Sequence, residues 1–355
     1  MKTLVWVAAT VLACAIGCGG REDDAPERLR TLSVERAKQL AAFPGHIAFD
    51  SLAELSPEAA EALALHRGSV SFFNLAALSP AAARGLARHG GDVSLRGLRT
   101  LSAEAAGCLA GLDAALDLGG LESLSPEVAA ALAAHEQVLY LGGLTSISAE
   151  AAAALAGHQG ELRIWNLATL SVDAARALAR HQGPLSLGDL DAVSDDVLRA
   201  LAEHRGSLDL LGLRALSAET AEALARHRGD LSLMHLADLP DDAARALGRH
   251  AHRLSIGHLA ALSPEAAAAF ADSDRPLLLS FTNAAVLSTA AAEALARHRG
   301  ELSLRGLGTL SVDAAQALAR HEGELSLPDL TTLPAEAVRA LRSNGAIRLP
   351  DELPD

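Results

Sequence analysis

Aromatic residues are scarce in this chain: they make up 3% of its 355 residues, with two tryptophans and one tyrosine. Half of the residues are hydrophobic, so burial must come from Ala and Leu. Cysteine is scarce too, at three, with Cys14 and Cys18 near the N-terminus and Cys108 alone further on. That count excludes a disulfide framework, and Cys108 is expected to be a small buried apolar residue on an inward helix position. Basic charge is outweighed, with 30 Lys and Arg against 44 Asp and Glu, for a net charge of -14. Nucleic acid is therefore excluded as the main partner, because phosphate binding needs concentrated Lys and Arg. The sequence also lacks a glycine-rich phosphate loop, an H-E-x-x-H, a G-x-S-x-G and an N-x-S/T sequon. No constellation for catalysis remains, so the expectation is a non-enzyme with no cofactor and no metal.

What is present at the N-terminus is a lysine followed by the apolar run Thr3 to Gly17, then Cys18 and a charged segment. The run is shorter than the ~20 residues of a spanning helix and has the form of a signal peptide over residues 1–17. Ala15-Ile16-Gly17-Cys18 resembles the lipobox of bacterial lipoproteins, although Ala stands where Leu is usual. This makes Cys18 the candidate lipidated residue and residues 18–30 a polar tether. Cys14, after Val11-Leu12-Ala13, is the weaker alternative, and ordinary cleavage near Ala13 to Ala15 is another.

Residues 31–349 repeat one unit, and 350–355 form an acidic tail. The unit opens on Leu32, Leu55, Leu78, Leu101, Leu124, Ile147, Leu170, Val193, Leu216, Leu239, Leu262, Leu287, Leu310 and Leu333, which number repeats one to fourteen. The spacing is 23 throughout except for one step of 25 after Leu262. A fixed period of this size marks a solenoid, in which each unit is held by its neighbours. The extra two residues are expected in the segment Asp272 to Pro276, bulging from the stack.

Counting the opening residue as position 0, position 1 is usually Ser, suited to N-cap a helix. Position 3 is acidic in twelve of fourteen repeats, which complements the helix dipole. Ala at positions 4, 5 and 7 and Leu at 8 give one apolar face. This predicts a helix of about ten residues, too short to persist alone, ended by a left-handed Gly at position 13. Positions 15 and 17 are apolar around a small or polar residue, as in Leu302-Ser303-Leu304, which predicts a short strand with one buried face. Position 19 collects Asn, Gly, Asp and His, the types that tolerate positive φ, and predicts a turn in every repeat. The first repeat (Phe43 in place of His) and the last (Ile347 and Leu349 out of register) read as caps.

A Leu-x-Leu strand, a turn, a further Leu and a short helix resemble the leucine-rich repeat family, in its divergent bacterial form. The resemblance implies an α/β right-handed solenoid of 13–14 stacked parallel strands and short helices; another α/β solenoid is the alternative. The family's Asn column is replaced here by Leu at position 20, so the turn backbone needs other partners.

Ten histidines fall at position 11, from His66 to His321. They share the inward face with positions 4 and 8, and Phe43 and Leu112 replace them in two other repeats. They are therefore expected to be structural, bonding terminal helix carbonyls, with a pH-sensitive role and metal ligation as the alternatives. His235 and His258, in consecutive turns, are the better-placed pair for a metal, but two ligands make a weak site. Arginines at positions 10 and 12 should form a basic edge at the helix ends. Positions 16 and 18 flank the buried strand residues and are expected to face solvent. There Tyr140, Trp165, Leu211 and Met234, with Arg163 beside Trp165, form the densest group of hot-spot residue types. The functional expectation is an envelope-anchored lipoprotein, periplasmic or surface-exposed, that binds a protein partner along its strand face. A spacer or scaffold without a specific ligand is the alternative.

Overall fold

The computed structural model describes residues 29–190, 193–282, 286–351 and 353. The candidate lipidation residue Cys18, its alternative Cys14 and the turn residue Asn283 lie outside them. Fourteen helices and fourteen strands alternate strictly among the described residues, helix first. The fold is an α/β repeat solenoid. It divides into two compact units, up to Gly120 and from Leu121. Within each unit strands pair in chain order and all pairs are parallel.

The repeat pattern explains the elements directly. Serine caps every helix except those opened by Pro240 and Pro334; Ser171 Oγ, for example, accepts from the Ala174 amide at 3.2 Å. The helices are shorter than the sequence predicts, spanning positions 2 to 8 in most repeats, as in Pro57–Leu63 and Val172–Leu178. Beyond them the chain tightens into i→i−3 bonds, such as Arg180 N to Ala177 O at 3.1 Å and His181 N to Leu178 O at 2.9 Å. Such a turn satisfies orphan carbonyls without a full helical turn.

Glycine at position 13 serves a purpose different from the left-handed cap that was expected. Among the described residues, positive φ is confined to Asp189, His258 and Gly306. At position 13 the constraint is close approach: a Cβ on Gly206 would lie 2.5 Å from the Gly183 carbonyl oxygen. Position 19 shows positive φ in only those three repeats. At two others the side chain bonds the turn below: Asn166 Nδ2 donates to Gly142 O at 2.5 Å, and Asn74 does the same to Asp50 O.

Leucines at positions 15, 17 and 20 and alanines at 4 and 5 form the buried interior. In the first unit Phe49 and Phe72 stack within it, ring centroids 5.1 Å apart. The first repeat's Phe43 is 42% exposed. At the other end Ile347 pairs with Leu325 one residue short of the usual register. The tail returns to the stack, with Leu353 buried and its carbonyl accepting from Arg342 Nη2 at 3.0 Å.

The two extra residues are not at Asp272 to Pro276. Leu277 stands fifteen residues after Leu262 and pairs with Leu254 and Leu302, each also fifteen after its opening leucine. Repeat eleven is therefore in register through its strand, and the surplus lies after it, before Leu287. A register shift between Ile256 and Leu259 accompanies it.

Candidate functional site

The strand face of the second unit brings three of the five expected binding residues into direct contact. Strand pairing places Tyr140 beside Arg163. The Tyr140 and Trp165 rings meet edge to face, centroids 5.7 Å apart, a favoured aromatic geometry. The Arg163 guanidinium lies 5.1 Å from the Tyr140 ring and 5.8 Å from the Trp165 ring, within cation–π range of both. Arg163 also pairs with Glu161. Leu211 and Met234 continue the same column two and three repeats further on.

These positions are less open than expected. All five side chains are half-buried, and several position 16 serines are buried outright. The cause is that side chains lean along the stack onto small neighbours: a Cβ on Gly257 would meet the Met234 Cε at 2.9 Å. Trp165 likewise reaches the next repeat, where its Nε1 donates to Ser186 Oγ at 3.2 Å. Ser186 donates on to Asp209 Oδ2 at 3.5 Å. Burial raises the Asp209 carboxyl above its usual range, against the lowering effect of hydrogen bonds from Ser232 and Ser186 and of nearby His235 and Arg163. Sequence reasoning missed Glu161, Ser186 and Asp209, although an acid among the position 16 serines was a legible signal. The first unit repeats the motif: Ser94 Oγ and Arg96 Nε bond Asp117 Oδ2 at 3.1 and 2.7 Å.

The position 11 histidines form a second constellation. All ten are at most 2% exposed. In the second unit His135, His158, His181, His204, His227 and His250 stack nearly parallel, ring centroids 5.7–6.2 Å apart. His298 and His321 stack likewise at 6.2 Å, as do His66 and His89 in the first unit at 5.7 Å. Where an imidazole closes a bond, its partner is a backbone carbonyl of the preceding repeat. His89 Nε2 lies 2.8 Å from Gly68 O, and His227 Nδ1 lies 3.4 Å from Ala202 O. His298 has both nitrogens engaged, with Phe270 O at 2.9 Å and Arg275 O at 3.0 Å. His158, His181 and His204 have equivalent carbonyls as neighbours but close no bond of good geometry onto them.

Repeat eleven has Ser273 at position 11, and Arg275 fills the vacancy. Its guanidinium is 7% exposed and donates to Gly248 O at 3.0 Å and Leu247 O at 3.2 Å. In the last repeat Asn344 Nδ2 donates to Ala319 O at 3.0 Å and His321 O at 2.8 Å. Leu112 is buried in the same slot of repeat four. The packing expected of the column is visible in its buried stack, while the expected carbonyl bonds close at His89, His227 and His298.

Desolvation lowers the pKa of His89, His158, His204, His227 and His321, and takes His181 and His250 down to about 4 with the help of neighbouring imidazoles. The turn histidines His235 and His258 are exposed, rings 5.3 Å apart. Among the described residues no group of three or more His, Cys, Asp or Glu is placed to hold a metal ion. Cys108 is half-buried rather than in the core, because position 7 lies at the margin of the inward face. The basic edge is real but locally paired, for example Arg249 with Glu222 at 3.8 Å, an exposed contact of little energy.

No protein-family model matches the chain, and no curated protein matches it. Solved structures similar to it include a leucine-rich repeat protein of Leptospira interrogans, 14% identical over 90% of this chain and 93% of that one, with a TM-score of 0.40. An internalin of Listeria monocytogenes is 10% identical over 91% and 90%, with a TM-score of 0.36. A chain of the Drosophila Toll–Spätzle complex is 13% identical over 87% of this chain and 55% of that one, with a TM-score of 0.37. These neighbours are leucine-rich repeat proteins, and the chain described here is itself a stack of parallel strand–helix repeats.

Proposed function

We propose that this protein is a non-enzymatic lipoprotein of a bacterial cell envelope, anchored through Cys18, whose solenoid holds a protein partner along the strand face of repeats five to nine. The observation that carries the reading is the convergence of Tyr140, Arg163 and Trp165. A chain with one tyrosine and two tryptophans places the tyrosine and the tryptophan outside its leader in contact, with an arginine against both rings. Tyr, Trp and Arg are the side chains that most often dominate binding energy. They are held rigid here by Glu161 and Ser186, so little side-chain entropy is lost on docking.

The test compares wild-type protein with Trp165→Ala in crosslinking to whatever it holds in its own cells. Loss of roughly 2 kcal/mol or more would weaken capture about 30-fold, with thermal stability little changed. Equal capture by the variant would leave the spacer reading in its place.

A further inference from the structure

The position 11 slot in the second unit is unusual in what it asks of its occupant. It presents carbonyl oxygens of the preceding repeat: Arg275 and Asn344 each donate to two of them, and His298 lies within hydrogen-bond distance of two. Arginine supplies five N–H donors and asparagine two without changing charge at ordinary pH, and a neutral imidazole supplies one. Leucine at position 112 shows that the first unit tolerates an apolar side chain there. Packing alone therefore does not demand histidine. Yet six consecutive repeats carry it, with rings stacked and out of contact with water.

We propose that His135, His158, His181, His204, His227 and His250 form a proton-operated switch: as neutral rings they pack in one buried stack that runs through successive repeats, and on protonation they drive the helix-side turns apart and open this part of the solenoid. The physical basis is the spacing. Imidazolium charges on adjacent rings would face each other at 5.7–6.2 Å in a region without water, where like charges repel strongly and desolvation penalises each one. The charged and titratable groups acting on the column are the rings themselves, His252 at 6.0 Å from His250, and the Arg275 guanidinium beyond it. These are of the same sign or neutral, so none compensates. The carbonyls of positions 9 and 13 favour protonation of a ring, but burial and neighbouring imidazoles outweigh them. Because one protonated ring disfavours the next, the column resists charging while closed and loads several protons together once it opens.

The experiment is an acid titration of the full chain, followed by far-ultraviolet circular dichroism and by proton uptake, against the variant His158→Asn/His181→Asn/His204→Asn. Asparagine is chosen because Asn344 already fills the slot. The wild type is expected to open reversibly between about pH 6 and pH 4, and the variant to open at least half a pH unit lower with about three fewer protons bound. Identical midpoints and proton counts would overturn the proposal and assign acid opening to carboxylates. Should the variant not fold, nitrogen-resolved NMR of the wild-type imidazoles decides the matter. Rings that stay neutral until the fold opens support the switch, and rings that titrate near 6.5 in the intact fold refute it.

Discussion

Gly206→Ala tests how repeats are spaced. An ideal Cβ on Gly206 would lie 2.5 Å from Gly183 O, 2.9 Å from His204 Nε2 and 3.0 Å from Gln182 O, where ordinary contact begins at 3.4 Å. The shortfall at Gly183 is 3.4 − 2.5 = 0.9 Å, and its far side is backbone, which cannot rotate away. Repeats eight and seven would have to part by most of an ångström, against a normal strand spacing of ~4.8 Å. That would stretch neighbouring bonds such as Leu185 N to Ser207 O at 2.9 Å. Overpacking of this kind costs about 1–3 kcal/mol, which corresponds to a fall in melting temperature of roughly 2–12 °C for a unit of this size. Gly142→Ala is the control, since nothing lies within 4 Å of its Cβ; it should be neutral or stabilise by about 0.4–1 kcal/mol. Gly206→Asn separates the two explanations of the column, because a left-handed cap would accept Asn while close approach rejects it more strongly than Ala. The prediction is confined to the run Gly160, Gly183, Gly206 and Gly229, where glycine faces glycine, because Ala114, Gln137, His252, Arg275 and Ala346 stand in this column in repeats four, five, ten, eleven and fourteen. If calorimetry finds Gly206→Ala melting with Gly142→Ala, the close-approach reasoning fails.

Arg275→Met should remove the donors to Gly248 O and Leu247 O and lower unfolding free energy in urea by about 2–4 kcal/mol; an unchanged midpoint would mean that the carbonyls find water instead. For His181 the folded pKa is depressed from 6.5 to about 4, so the unfolded chain binds the extra proton, and stability is full above pH 6.5 and falls as pH drops towards 4. The linkage amounts to about 2 kcal/mol at pH 5 for this ring, which His181→Asn should restore in urea titrations at pH 7 and 5. Cys18→Ser should abolish labelled-lipid incorporation and membrane retention in cells; unchanged retention would refute the anchor assignment.

The period, the strand and helix of each repeat and the buried histidine column were all legible, because each recurs with few exceptions and carries its own chemical cause. Ser171 caps as a serine at that place should. Misreadings arose where two physical causes select the same residue. Glycine serves a positive φ and a close approach equally well, and only the distance from Gly206 to Gly183 O decides between them. The insertion was misplaced because the spacing of opening leucines does not say on which side of the strand it falls; Leu277, fifteen after Leu262, held the answer. Position 16 was expected to be open because strand alternation gives direction and not cover. The cover comes from neighbours in other repeats, as when Trp165 reaches Ser186. The network through Glu161 and Asp209 was missed for the same reason, since its members are 21 to 23 residues apart or share a strand with a more conspicuous ring.

The histidine slots address main-chain oxygens of the preceding repeat, at Gly68, Ala202 or Phe270. A carbonyl is the same whatever side chain its residue bears. The bonds made through these slots are therefore indifferent to the side chains of the preceding repeat. As far as these bonds go, one 23-residue block can follow another without a matching side chain on its predecessor. A chain so built can lengthen or shorten in whole repeats and keep this set of bonds. The length of the stack is then free to drift until selection on what it carries holds it fixed.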